Sequence, residues 1–202
     1  MAVRFRFLVA STLALACLAA RADTVVFPEL ISFDEILTAG TPLDSAFYRQ
    51  EADAHASAAA LPASPAPGAF ELRIWRTDMM HGDGIGYVIA NGRLRVFETR
   101  RDDGTGHVRA RRIADRRLPA DRLPVAELRA LKSLSGRWYG CMVVDGESVL
   151  IQAWIDGVAV QLDTGNPTAC RNASLDRIAA LLGAVDALGG HHGVQASVMT
   201  SY

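Results

Sequence analysis

The sequence predicts an α+β fold: a single antiparallel meander sheet of about six to seven strands, two amphipathic helices packed on one face, and one disulfide. Three observations carry that expectation. Apolar and polar residues alternate with period two between Phe70 and Leu162, and Asn-Gly and Asp-Gly pairs interrupt the alternation. Two stretches, around Leu128 and around Ile178, place apolar residues at helical spacing instead. Two cysteines remain once an export signal is removed.

Residues 1–22 are that signal. Arg4 and Arg6 precede an apolar run, Phe7 to Ala20, that falls short of the ~20 residues a spanning helix needs. Ala20 and Ala22 frame a cleavage point before Asp23, the pattern of a bacterial-type secretory signal. The mature chain is expected in the periplasm or secreted, with no transmembrane segment. Anchoring through Cys17 is the alternative, and Leu15-Ala16 fits it poorly. With Arg4, Arg6 and Arg21 gone, 18 basic residues face 22 acidic ones, a mild acidity that argues against non-specific nucleic-acid binding. Cys141 and Cys170 are left in an oxidising compartment and are expected to pair. Closing a loop of about 30 residues stabilises a fold by ~3 kcal/mol.

Residues 23–50 form an acidic N-terminal arm, and residues 51–69 an Ala/Pro/Ser-rich linker whose only large apolar residue is Leu61. The globular domain is expected over residues 70–190, with a tail at 191–202. Within it, "FELRIW" alternates like a half-buried strand. "GYVIANGRLRVFETR" is a hairpin turning at Asn91-Gly92, and "HVRARRIADRRL" continues as a polar-faced strand near an edge. Val125, Leu128 and Leu131 share a helical face behind Pro124. The second half repeats the layout: "WYGCMVV", a turn at Asp145-Gly146, "SVLIQAWI", a turn at Asp156-Gly157 and "VAVQL". A last helix follows, with Ser174 as its expected N-cap.

Arg93 to Arg129 holds eleven Arg and six acids. Arg93, Arg95, Arg109 and Arg111 fall on alternate strand positions and are expected to project from one sheet face. Guanidinium forks there would recognise carboxylate or phosphate groups, which points to an acidic protein or an anionic envelope component as partner. Nucleic acid is not expected, because no aromatic residues are interleaved as stacking platforms.

Asp163 lies in "LDTG", which resembles the active-site triplet of retropepsin-like aspartic proteases, where paired aspartates share a proton. Asn166 and Pro167 depart from that pattern, and the stretch reads as a strand running into a turn at Asp163. In "MHGDGIG", His81 and Asp83 could serve as a general base, although three glycines in the stretch mark a loop. His191 and His192 adjoin each other without chelating spacing, no Gly-x-Ser-x-Gly elbow occurs, and no metal or cofactor is expected. The expected function is a non-catalytic binding, inhibitor or immunity-type module acting through the Arg face. The alternative is a secreted hydrolase built on His81/Asp83 or Asp163. Convergence of those three residues in one cleft would favour the enzyme, and scattered loop positions would favour the binder.

Overall fold

The structure is a computed structural model that describes residues 40–102, 104–141 and 146–190; residues 1–22, expected as an export signal, residues 23–39 of the expected arm, Asp145 and residues 191–202 with His191 and His192 lie outside the described residues. In chain order the elements are β1 (Thr41–Pro42), α1 (Ser45–Ala58), β2 (Glu71–Asp78), β3 (Gly84–Ala90), β4 (Arg93–Arg101), β5 (Val108–Arg117), α2 (Val125–Ala130), β6 (Arg137–Gly140), β7 (Glu147–Ile155), β8 (Val158–Gly165) and α3 (Ala173–Gly189). Two short 3-10 turns, Ala120–Arg122 and Lys132–Leu134, flank α2.

Local chemistry sets the hairpins. Asn91 and Gly92 both take positive φ (52° and 65°), as do Asp156 and Gly157 (50° and 75°), so both pairs make the two-residue turns whose twist suits antiparallel strands. The sheet order is β1-β6-β8-β7-β2-β3-β4-β5. It is mixed rather than a pure meander, with eight strands among the described residues. β8 lies between β6 and β7, antiparallel to β7 and parallel to β6. The expected β6–β7 hairpin through Asp145-Gly146 is therefore absent. Asn166 occupies that end of the sheet: its side chain accepts from the Glu147 N–H at 2.7 Å and donates to the Cys141 carbonyl at 2.9 Å, joining the ends of β6, β7 and β8. Cys141 and Cys170 form the expected disulfide, with Cα atoms 6.3 Å apart.

Helices α2 and α3 cover one face. Leu128, Leu175, Ile178, Leu181 and Val185 are fully buried there against Ile74, Ile89, Ile151 and Leu162. Asn172, not Ser174, caps α3, its side chain accepting from the Ser174 and Leu175 N–H groups at 2.9 Å.

The opposite face is covered as well. Residues expected as arm and linker contribute α1, capped by Asp44, whose Oδ1 accepts from the Ala46 and Phe47 N–H groups. Lack of bulky residues does not prevent this burial, because Ala52 and Ala56 let the helix lie close to the sheet while Tyr48 and His55 supply the bulk. The Tyr48 hydroxyl donates to the Ile151 carbonyl at 2.7 Å. Gly86 leaves room for the Trp75 ring, which a Cβ there would strike, and His55 stacks on that ring with centroids 5.1 Å apart.

The return segment to β2 is held by charge. Arg73, fully buried on β2, donates from Nε to Glu71 at 2.7 Å, from Nη1 to the Pro62 carbonyl at 2.6 Å and from Nη2 to the Ser64 carbonyl at 3.1 Å. Gln152 adds a bond to the Ala63 carbonyl, and the Ala66 N–H donates to Glu71. Charge-assisted bonds of this kind do what apolar burial does elsewhere.

Removing the fork strands a buried carboxylate. Arg73→Met is expected to lower the unfolding free energy by roughly 3 kcal/mol or more, read from urea melts. It should also raise amide exchange at residues 61–66, and adding Glu71→Gln should recover part of the loss.

Candidate functional site

The strongest local departure from ordinary sheet chemistry is in the β4–β5 hairpin, at the free edge of the sheet. Arg93 stands directly opposite Arg117, and Arg100 directly opposite Arg109. Like charges facing across two strands destabilise a sheet.

The expected single Arg face is corrected here. The register slips between Val96 and Phe97: Val96 pairs with Ala114, Phe97 with Arg112, and Ile113 is the extra residue of a β-bulge. One inserted residue reverses the side-chain alternation beyond it. Arg93 and Arg95 therefore share the α1 face with Arg112 and Arg117, whereas Arg109 and Arg111 share the opposite face with Arg100 and Arg116. The set is divided between the two faces, and Arg101 of β4 adds a fifth guanidinium on the α1 face.

Carboxylates are too few for them. Asp115 holds both Arg93 (2.7 Å) and Arg112 (3.3 Å), Glu98 holds both Arg100 (3.3 Å) and Arg111, and Asp102 holds Arg109 at 3.1 Å. Arg95, Arg116 and Arg117 have no carboxylate partner among the described residues. Arg101 is engaged internally, paired with Glu51 of α1. Ile113 is 40 % exposed in the middle of this strand.

His81 and Asp83 occupy a tight loop between β2 and β3. Asp78 Oδ1 accepts from the Met80 and His81 N–H groups at 2.7 and 2.8 Å and lies 3.3 Å from His81 Nδ1. His81 is exposed. Asp78 is thereby held below the ordinary carboxylate range, chiefly by the His81 N–H. No hydrogen bond or ion pair joins His81 or Asp83 to Asp163 among the described residues.

Asp163 is not in a turn. It lies within β8, in register with Trp138 and Leu150, and the chain turns only at Asn166 with its φ of 55°. Its carboxyl is buried beneath α1. Burial raises its pKa from 3.8 to about 6; a hydrogen bond from the Thr164 N–H opposes the rise and the Glu51 charge adds to it. Burial, with the Asp163 charge, likewise holds the Tyr48 hydroxyl protonated. His55 is lowered to about 4, by burial first and then by Arg101, so its ring is neutral at pH 7. Asp163 has no second carboxyl or imidazole hydrogen-bonded to it among the described residues.

A further charged cluster left no mark on the sequence pattern. Arg76, nearly buried on β2, donates to Glu147 at 2.5 Å and to Asp186 of α3 at 2.6 Å, and the Tyr87 hydroxyl donates to Asp186 at 2.7 Å. The cluster ties the end of α3 to the sheet. Among the described residues no group of three or more His, Cys, Asp and Glu is placed to hold a metal ion. A depression of about 290 Å³ between Phe70, Leu123, Trp154 and Asp156 contains none of His81, Asp83 or Asp163.

The raised Asp163 pKa fixes the sign of a pH effect. The folded state favours the protonated carboxyl, so its contribution to stability is full below pH 3.8 and is lost as pH rises through about 6. Asp163→Asn keeps an acceptor for the Thr164 N–H and cannot ionise. It should flatten that limb and stabilise the fold at pH 7 by roughly 2–3 kcal/mol, measured as urea midpoints from pH 4 to pH 7.

No protein-family model matches the chain, and no curated protein and no solved structure matches it.

Proposed function

We propose that the protein is an exported, non-catalytic binding module of the inhibitor or immunity type, which captures an acidic protein or other anionic envelope component through its β4–β5 hairpin. The single observation that carries this reading is the pair of opposed arginines, Arg93↔Arg117 and Arg100↔Arg109, on an edge hairpin whose three described carboxylates are already engaged. A rule-breaking charge arrangement costs stability in the free protein, and an anionic ligand offsets that cost. Export is supported by the amino-terminal pattern of Arg4, Arg6 and the run to Ala20. No helix among the described residues is long and apolar enough to cross a membrane. The binding reading calls for no cofactor.

The alternative, a secreted hydrolase, has one observation in its favour: the raised pKa of Asp163, a common property of catalytic carboxyls. Against it, α1 lies over Asp163, and His81 and Asp83, in the loop between β2 and β3, make no hydrogen bond or ion pair with it among the described residues. The binding reading leads.

Stability and binding should move in opposite directions at Arg117. Arg117→Glu turns the like-charged Arg93↔Arg117 pair into an opposite one and should stabilise the fold by about 0.2–1 kcal/mol, whereas Arg109→Glu also sets a carboxylate beside Asp102 and should bring no such gain. Both should weaken capture of a polyanion such as polyphosphate or a poly-glutamate chain by about tenfold at low salt, with a shallower salt dependence. Unchanged affinity in both variants would remove the hairpin from the function.

A further inference from the structure

We infer that the anionic partner engages the hairpin as an extended acidic segment that adds to the sheet as a strand beside β5; this rests on the binding reading above. Guanidinium groups leave β5 on both faces: Arg109, Arg111 and Arg116 on one, Arg112 and Arg117 on the other. A broad anionic surface can meet one face of a strand only. A chain lying in the plane of the sheet reaches both, since its own side chains alternate between the faces.

The edge itself is open to such a chain. Among the described residues, β5 pairs with β4 on one side and with no strand on the other. At ten residues it is long for an edge, and its outer row of N–H and C=O groups forms a template for pairing. Exposed Ile113 adds an apolar contact at the centre of the strand. A second copy of the same edge does not suit this template, because arginine would face arginine. The fitting occupant has acidic residues flanking a central apolar one, and main-chain bonds would supply affinity while the arginines supply selection.

Backbone-modified peptides test this. The purified protein would be titrated with a capped peptide carrying Glu at consecutive positions on either side of a central Val, so that carboxylates reach both faces, and with two versions N-methylated on alternate amides, one set on each edge. Polyphosphate is the backbone-free comparison, and hydrogen exchange of residues 108–117 is followed throughout. The expected result is binding of the parent peptide, a loss of about tenfold or more for one N-methylated version, little change for the other, and new protection within 108–117. Equal affinity of all three peptides, or capture of polyphosphate without the peptides, would overturn strand addition and leave the Arg-hairpin reading standing. Failure of every anion to bind would overturn both.

Discussion

A guanidinium buried in the middle of a sheet must have each of its donors satisfied, and Arg73 achieves this by drawing the chain around itself. Its partners are Glu71 on its own strand and the carbonyls of Pro62 and Ser64. The stretch from Ala59 to Ala69 has almost no apolar surface to bury, so hydrophobic burial alone would leave it unordered. Charge-assisted hydrogen bonds, each worth about 1.5–3 kcal/mol, decide the balance instead. Once that segment is fixed, α1 is delivered across the face beside it. The apolar patch of Trp75, Val88 and Phe97 is then covered rather than exposed.

This explains which parts of the fold were legible. The turns at Asn91-Gly92 and Asp156-Gly157 were readable because positive φ leaves few alternatives to those residue pairs. The faces of α2 and α3 were readable from leucine spacing, and β5 was readable as an edge from its polarity. The Cys141–Cys170 pair followed from counting. α1 was not readable, because its contact surface is built from alanine, which gives no periodic signal by size. Buried Arg73 and Arg76 sat in strand positions that pattern alone would give to solvent or to a hydrophobe. Their partners are distant in sequence, as with Asp186, or are backbone carbonyls. The parallel β6–β8 pairing depends on Asn166, a residue that sequence reading assigns only to a turn.

The candidate site shows the same limit in a sharper form. Composition located the basic segment, and alternation counted along β4 and β5 put four arginines on one face. The pairing of the two strands, Glu98 with Arg111 and Arg100 with Arg109, divides them two and two. Bulges carry no reliable residue signature when the inserted residue is not glycine, so only the cross-strand register reveals the division. With Arg111 beside Arg112 and Arg116 beside Arg117, β5 is a strand charged on both sides. Charges and a bulge on an edge are also the devices by which proteins discourage unwanted pairing. The two accounts part at the opposed arginines. Protection from self-association requires charge, whereas Arg93 facing Arg117 and Arg100 facing Arg109 add like-charge contacts that Asp115, Glu98 and Asp102 offset only in part.

Access separates the hairpin from the buried carboxyl in the same way. A reacting acid needs both a tuned pKa and a route to substrate. Asp163 has the first, and α1 lies over it, with Tyr48 and Glu51 beside it. Glu51 is in turn drawn toward Arg101 at the end of β4, the one arginine of the hairpin that points its charge inward to hold the helix in place. The acidic groups beneath α1 are thus part of how the second face of the sheet is closed. The basic groups outside are exposed, only partly compensated, and aligned along an unpaired strand. Recognition requires exposure and complementary charge alone, and the β4–β5 hairpin supplies both.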